Sequence, residues 1–201
     1  LPVSYSGFSY AAIKAWSDGD ETDIIEGVNL FIDDKKLSEL IVKLSKFIPL
    51  EGEYRDYGCR LFYTILWAEH ASRYENPKEF FLDKMKYNLI DDENVTKLRK
   101  FFDEALFILE ENENVLEVNE LKNSIFLLKI LLDINVKLTI IYNNQNEDEI
   151  DFKNEISLLE IYSNTHLKLW NARNIHAGYK ISNQRILWLM QLLALAKKER
   201  S

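Results

Sequence analysis

Apolar side chains recur at intervals of three and four residues along nearly the whole chain, and this spacing constrains the fold more than any other feature. It is the spacing at which one face of an α-helix is apolar and packs against a core. Glycine and proline, which interrupt helices, number only six and three among 201 residues. The pattern predicts an all-α fold, an irregular antiparallel bundle of eight or nine helices.

The helices are predicted from the apolar runs and from the polar breaks between them. Pro77 follows Asn76 as a first-turn proline follows an N-cap, Asp91 or Asp92 begins a later helix, and the polar run 143–148 is the clearest loop. Ser182 is expected to cap the last helix. The approximate ranges are 8–16, 22–31, 37–48, 54–74, 77–87, 92–109, 118–142, a helix ending at 170, and 182–195.

No fixed-period repeat and no Pro/Gly-rich interval divides the chain, so residues 1–201 are predicted to form a single helical domain. Because the chain begins at Leu1 and not at Met, we expect it to be cut from a longer protein. The resemblance described below implies that it is the C-terminal fragment of a multidomain chain.

The charge and composition of the chain argue against two classes of binding partner, nucleic acids and membranes. The net charge of −8 argues against a nucleic-acid partner, because Lys and Arg supply most of the affinity for phosphate backbones. No segment has the roughly eighteen uninterrupted apolar residues of a membrane span, so no membrane partner is expected. Cys59 is the only cysteine, which excludes an internal disulfide and a cysteine-rich zinc site and is typical of a reducing compartment such as the cytoplasm.

The acidic run Asp18, Asp20, Glu21 and Asp23 resembles half of a calcium-binding loop. Its glycine stands second and not sixth, and Asn29 occupies the twelfth position, where such a loop needs a bidentate Glu. The run is therefore interpreted as negative charge that stabilises the positive end of the second helix.

The three histidines, His70, His166 and His176, are too far apart in sequence for a local metal site, which on a helix needs a separation of three or four. No cofactor, no metal and no catalytic residue is predicted for this chain.

Residues 169–179 are the most informative short segment. They predict the end of a helix, a short turn at Gly178, and a second helix after it. Trp170, Arg173 and Asn174 are concentrated at this joint.

One enzymatic interpretation applies to this joint. Small helical ribonucleases of the HEPN type carry Arg, often followed by Asn, with His about five positions later as the acid–base group. Here Asn174 follows Arg173 directly, but His176 comes only three positions after Arg173. The spacing therefore departs from that motif. A HEPN-like ribonuclease is kept as the less favoured alternative.

The same joint resembles the C-terminal part of family 20 glycoside hydrolases, the β-N-acetylhexosaminidases. In that family a helix ends in a pattern close to Leu-Trp-x-Ala-Arg-Asn-Arg-Pro-Gly-Gly-Leu and a Ser-initiated helix follows. Residues 169–174 match the first six positions. Residues 175–179 depart from the remainder and keep only its second glycine, Gly178.

A second segment, residues 10–17, resembles the alanine-rich helix that ends in Trp-Asn-Pro in the same family. Trp16 matches, whereas Ser17 and Asp18 stand where Asn-Pro would be. The region 23–44 is similar to the two short helices that follow, and between about residues 50 and 165 only helical character is shared.

The resemblance implies that the parent protein removes terminal β-linked N-acetylhexosamine, with an Asp-Glu pair on a barrel and the substrate's acetamido group as nucleophile. That barrel would precede Leu1, so this chain alone is expected to be inactive, and its partner would be the upstream catalytic barrel of the same polypeptide. The domain would cover the barrel, shape the rim of the sugar pocket or form a homodimer surface. Trp16, Trp170, Arg173 and Asn174 are expected to serve packing more than sugar contact.

The alternative from a different functional class is a free-standing helical module that binds another protein. An uncovered apolar surface would mark such an interface. A helical surface that would serve either this module or the glycosidase domain is expected to contain Phe80, Phe81, Trp188, Leu192 and Leu193.

Overall fold

The computed structural model describes residues 20–44, 60–110, 116–143, 150–173 and 178–195. Within these ranges the chain forms α-helices and one 3-10 turn, residues 86–88, and contains no strand. The all-α prediction is confirmed. The helices are α1 (Glu21–Ile32), α2 (Lys35–Leu44), α3 (Arg60–Ala71), α4 (Pro77–Met85), α5 (Asp92–Glu110), α6 (Leu116–Tyr142), α7 (Lys153–Arg173) and α8 (Tyr179–Leu195).

Most predicted helices that fall in the described ranges agree with these boundaries within a few residues. The start of the last helix is an exception, because α8 begins at Tyr179 and Ser182 lies one turn inside it. The prediction of Ser182 as a cap is therefore wrong. The predicted first helix, the stretch 45–59 and most of the predicted loop 143–148 lie outside the described residues.

Aspartates at helix starts supply the missing hydrogen-bond acceptors for the first backbone N–H groups. At α1 the capping is reciprocal: the Asp23 N–H donates to Asp20 Oδ1 at 3.3 Å, and the Asp20 N–H donates to Asp23 Oδ2 at 2.8 Å. The interpretation of these two acids as helix-stabilising is thereby confirmed. At α5 the Asn94 N–H donates to Asp91 at 2.9 Å, and this bond lowers the pKa of the Asp91 carboxyl.

Four helices form a closed ring: α3 packs against α6, α6 against α7, α7 against α8, and α8 against α3. Helix α5 lies on the outer side of α6, and α4 lies against α3 and α8. The pair α1–α2 joins the bundle through α2, which packs on α5. Buried apolar side chains from all eight helices of the described ranges form one continuous core.

Helices α5 and α6 run antiparallel, as the order of the ion pairs between them shows. Between α5 and α6, Arg99 pairs with Asp133 and Lys129 pairs with Asp103, each at 2.6 Å, so one helix ascends while the other descends. These pairs are exposed and contribute little stability, since water screens them. They nevertheless establish the antiparallel direction of this helix pair.

The core contains a few polar groups, and hydrogen bonds satisfy the principal ones. Asn135 on α6 is fully buried; its Oδ1 accepts the Ile90 N–H at 2.9 Å, and its Nδ2 donates to the Asn88 carbonyl at 3.0 Å. Glu155 on α7 is also buried and pairs with Lys137 at 2.6 Å. Because a buried polar group without a partner is costly, these bonds determine how α6 contacts the segment after α4 and the start of α7.

Candidate functional site

The structure places two of the four predicted site residues at the junction of α7 and α8. Trp170 lies in the last turn of α7, and Arg173 is the final residue of that helix. The prediction for Arg173 concerns a side chain outside the described part of the structure. Trp16 and Asn174, like His176 of the ribonuclease interpretation, also lie outside it.

Trp170 packs directly on Gly178, the residue that immediately precedes α8. A Cβ atom built on Gly178 would lie 2.8 Å from Cζ2 of the Trp170 ring, closer than real carbon atoms approach one another. Any larger residue would therefore displace the indole or the backbone. Helices α7 and α8 meet closely because Trp170 presents a flat aromatic ring and Gly178 has no side chain.

His166 lies one turn before Trp170 on the same face of α7, surrounded by aromatic rings. Its imidazole stacks on Tyr162, with ring centres 5.6 Å apart and an interplanar angle of 8°. Trp170 meets it edge-on, and Tyr179 of α8 approaches at a tilt, each with ring centres 5.7 Å apart. We call Tyr162, His166, Trp170 and Tyr179 the joint cluster.

Hydrogen bonds across the two helices accompany the joint cluster. The Ser163 hydroxyl donates to Asn183 Oδ1 at 2.8 Å, and the Tyr179 hydroxyl donates to the Ser163 carbonyl at 3.1 Å. His166 Nε2 and the Ser182 hydroxyl lie 3.2 Å apart. Ser182, one turn inside α8, therefore faces α7 with its hydroxyl and does not cap the start of its own helix.

Burial changes the protonation chemistry of the joint cluster. It lowers the pKa of His166, because the imidazolium form loses water without gaining a carboxylate partner among the described residues. It also raises the pKa of Tyr162 to about 12, with a smaller contribution from Tyr179, and raises the pKa of Tyr179 itself. The cluster is therefore uncharged near neutral pH.

A histidine beside a serine hydroxyl is one part of a nucleophilic site. Such a site also needs a group that orients the imidazole and N–H donors that bind an oxyanion. The groups placed around His166 in the described ranges are three aromatic rings and the Ser182 hydroxyl, which sits within a regular helix. This geometry is suited to holding two helices together.

Sequence reasoning did not identify Tyr162, His166 and Tyr179 as members of the site. A signal was present, because Tyr162, His166 and Trp170 are spaced by four residues and must share one helix face. The contribution of Tyr179 from the next helix could not be read from spacing.

The chain was compared with protein-family models, with curated proteins and with solved structures. None of the three comparisons gives a match. In the described ranges no group of three or more His, Cys, Asp or Glu side chains is arranged to hold a metal ion. None of the helices described is long and apolar enough to cross a membrane.

The apolar surface proposed for a binding module is not assembled as expected. Phe81, Leu192 and Leu193 are 3–5% exposed and belong to the core, because they lie on the inward faces of α4 and α8. That prediction is wrong for these three residues. Phe80 and Trp188 remain partly exposed.

The contact between Trp170 and Gly178 predicts a coupled pair of substitutions. Gly178→Ala should lower the free energy of unfolding by about 1–3 kcal/mol, because the added methyl overpacks the joint. In a Trp170→Ala background the same change should cost much less, since the clashing ring is gone. Urea denaturation of the wild type, both single variants and the double variant measures this coupling; equal costs in both backgrounds would contradict the close contact.

The lowered pKa of His166 predicts a pH dependence of stability. Between the folded pKa and the ordinary value of 6.5, the unfolded chain binds a proton that the folded chain does not. The free energy of unfolding should therefore fall as pH drops below about 6.5, and it should fall less in His166→Gln. Denaturation at a series of pH values tests this, with an NMR titration of His166; an imidazole pKa of 6.5 or higher would contradict it.

Proposed function

We propose that the chain is a non-catalytic helical domain of a β-N-acetylhexosaminidase-like glycoside hydrolase, packed against a catalytic barrel of the same polypeptide. The observation that carries the proposal is the contact between Trp170 and Gly178. Both residues belong to the pattern by which this segment resembles family 20 enzymes, and they lie in contact.

The location of the resembling segment supports the same proposal. Residues 169–173 form the end of α7, where the family pattern requires a helix to end. The next helix begins at Tyr179, whereas the family pattern has a helix that begins at a serine. The Pro of the family pattern is missing here. The joint cluster supplies another way to hold the two helices together, because ring contacts and hydrogen bonds join α7 to α8.

In this proposal the role of Trp170 is to pack α7 against the start of α8. Its ring contacts His166 on one helix and Gly178 at the start of the next, so much of its surface is already covered. A platform for a sugar would need an uncovered aromatic face. These contacts favour the structural role over a place at the pocket rim.

The second candidate is a free-standing helical module that binds another protein. It is favoured by the apolar side chains that α8 exposes, among them Ile181 at 72% and Leu195 at 42%. It requires no catalytic barrel before Leu1.

The proposal is tested on the complete native protein with a chromogenic N-acetyl-β-glucosaminide. We expect the complete protein to hydrolyse this substrate and the 201-residue chain alone to be inactive. Trp170→Ala in the complete protein should lower the free energy of unfolding by about 2–4 kcal/mol while KM stays within about twofold. Trp188→Ala, which removes a tryptophan outside the joint, is the control and should destabilise less.

Two results would contradict this account. Hydrolysis by the isolated chain would show that it carries its own catalytic groups. A tenfold rise in the KM of Trp170→Ala with unchanged stability would place the indole on the sugar and not in the packing of the joint.

A further inference from the structure

Helix α8 has two apolar faces, of which only one belongs to the core. Ile186, Leu189 and Leu193 point inward and are at most 4% exposed. The opposite face carries exposed or partly exposed apolar side chains, namely Ile181, Leu187, Trp188 and Leu195. An apolar helix face open to solvent is typical of an interaction surface.

The outward residues follow the spacing of a helix–helix contact. Ile181, Trp188 and Leu195 are separated by seven residues, and Gln184 and Gln191 fall between them at intervals of three and four. This is the a/d pattern by which one helix packs along another. We call these five residues the α8 seam.

A groove runs beside the α8 seam, between α8 and α3. It has a volume of about 290 Å³ and is lined by Glu69 of α3 and by Lys180, Ile181, Gln184, Arg185 and Trp188 of α8. A concave groove of this size accepts individual side chains from a neighbouring helix, as in knobs-into-holes packing. A flat lipid surface could not fill it.

The charges around the seam favour a negatively charged partner. Helix α8 contains Lys180 and Arg185 and no Asp or Glu, although the whole chain carries a net charge of −8. Glu69 is shared between Arg185 at 2.7 Å and Arg73 at 3.6 Å, so one carboxylate faces two guanidinium groups. Lys180 forms no ion pair within the described residues. The surface therefore has a local positive excess that carboxylates would complement.

We propose that the α8 seam binds an amphipathic helix of another protein, in which carboxylates flank the apolar side chains. Apolar knobs of that helix enter the groove beside Ile181 and Trp188, and its carboxylates lie next to Lys180. This interaction does not depend on the proposed glycosidase role, because it needs only α8 and α3. It specifies the kind of partner that the second candidate function would have.

The test uses two synthetic helical peptides as probes. Both carry Leu at the a and d positions of three heptads; the flanking positions are Glu in one peptide and Lys in the other. Fluorescence anisotropy of labelled peptide is measured as the 201-residue chain is added at low and at high salt. The acidic peptide is expected to bind with micromolar affinity and to weaken as salt rises, and the basic peptide is not expected to bind.

Matched variants locate the binding surface. Ile181→Glu and Lys180→Glu should each weaken binding of the acidic peptide by about tenfold or more, through an inserted charge and a reversed charge respectively. The controls are Leu30→Glu on α1, where the native side chain is 87% exposed, and Lys43→Glu on α2. Both should bind as the wild type does, and circular dichroism should show unchanged helix content in all four variants.

Several results would overturn the proposal. The α8 seam does not select an acidic helix if the acidic peptide fails to bind or if both peptides bind equally well. The same conclusion follows if the α1 and α2 control variants lose as much affinity for the acidic peptide as the seam variants do. If the acidic peptide does not bind, but phosphatidylserine vesicles bind the wild type and not Ile181→Glu, the surface contacts lipid. If the acidic peptide fails while sedimentation equilibrium shows a dimer that Ile181→Glu dissociates, the occupant is a second copy of this chain.

Discussion

The fold depends on burying α6, a 27-residue helix with apolar side chains around most of its circumference. Ile130, Leu131, Leu132 and Ile134 are each at most 1% exposed, although consecutive helical positions point in different directions. A single neighbour could not cover such a helix, so α3, α5 and α7 all pack against it. Helix α8 then completes the ring by contacting α7 and α3, and the joint cluster forms where α7 and α8 meet.

The order and type of the helices could be predicted because they depend on local patterns. Apolar spacing gave α6 within two residues of its observed start, and the Asn76-Pro77 pair correctly marked the beginning of α4. Ser182 was misplaced because a serine before a helical run is equally consistent with a cap and with a helix-interior residue. The start of α8 at Tyr179 makes Ser182 a helix-interior residue, and its hydroxyl lies beside His166.

The sequence indicated where the candidate site lies, but not all of the residues that form it. Trp170 and Gly178 stood out in the sequence, and the structure brings them into contact. The remaining joint cluster depends on the rotation of α7 relative to α8, which no local spacing specifies. Likewise, whether Leu192 and Leu193 face the core or solvent is set by α3 and α7, so their burial could not be read from the apolar pattern of α8 alone.

The proposed glycosidase role requires a larger enzyme whose catalytic barrel precedes this domain. The most direct measurement is the mass and N-terminal sequence of the native gene product. The account predicts a mass well above 23.7 kDa, with an added barrel of about 250 residues that contains an adjacent Asp-Glu pair. A native product of 23.7 kDa that begins at or next to Leu1 would contradict the account.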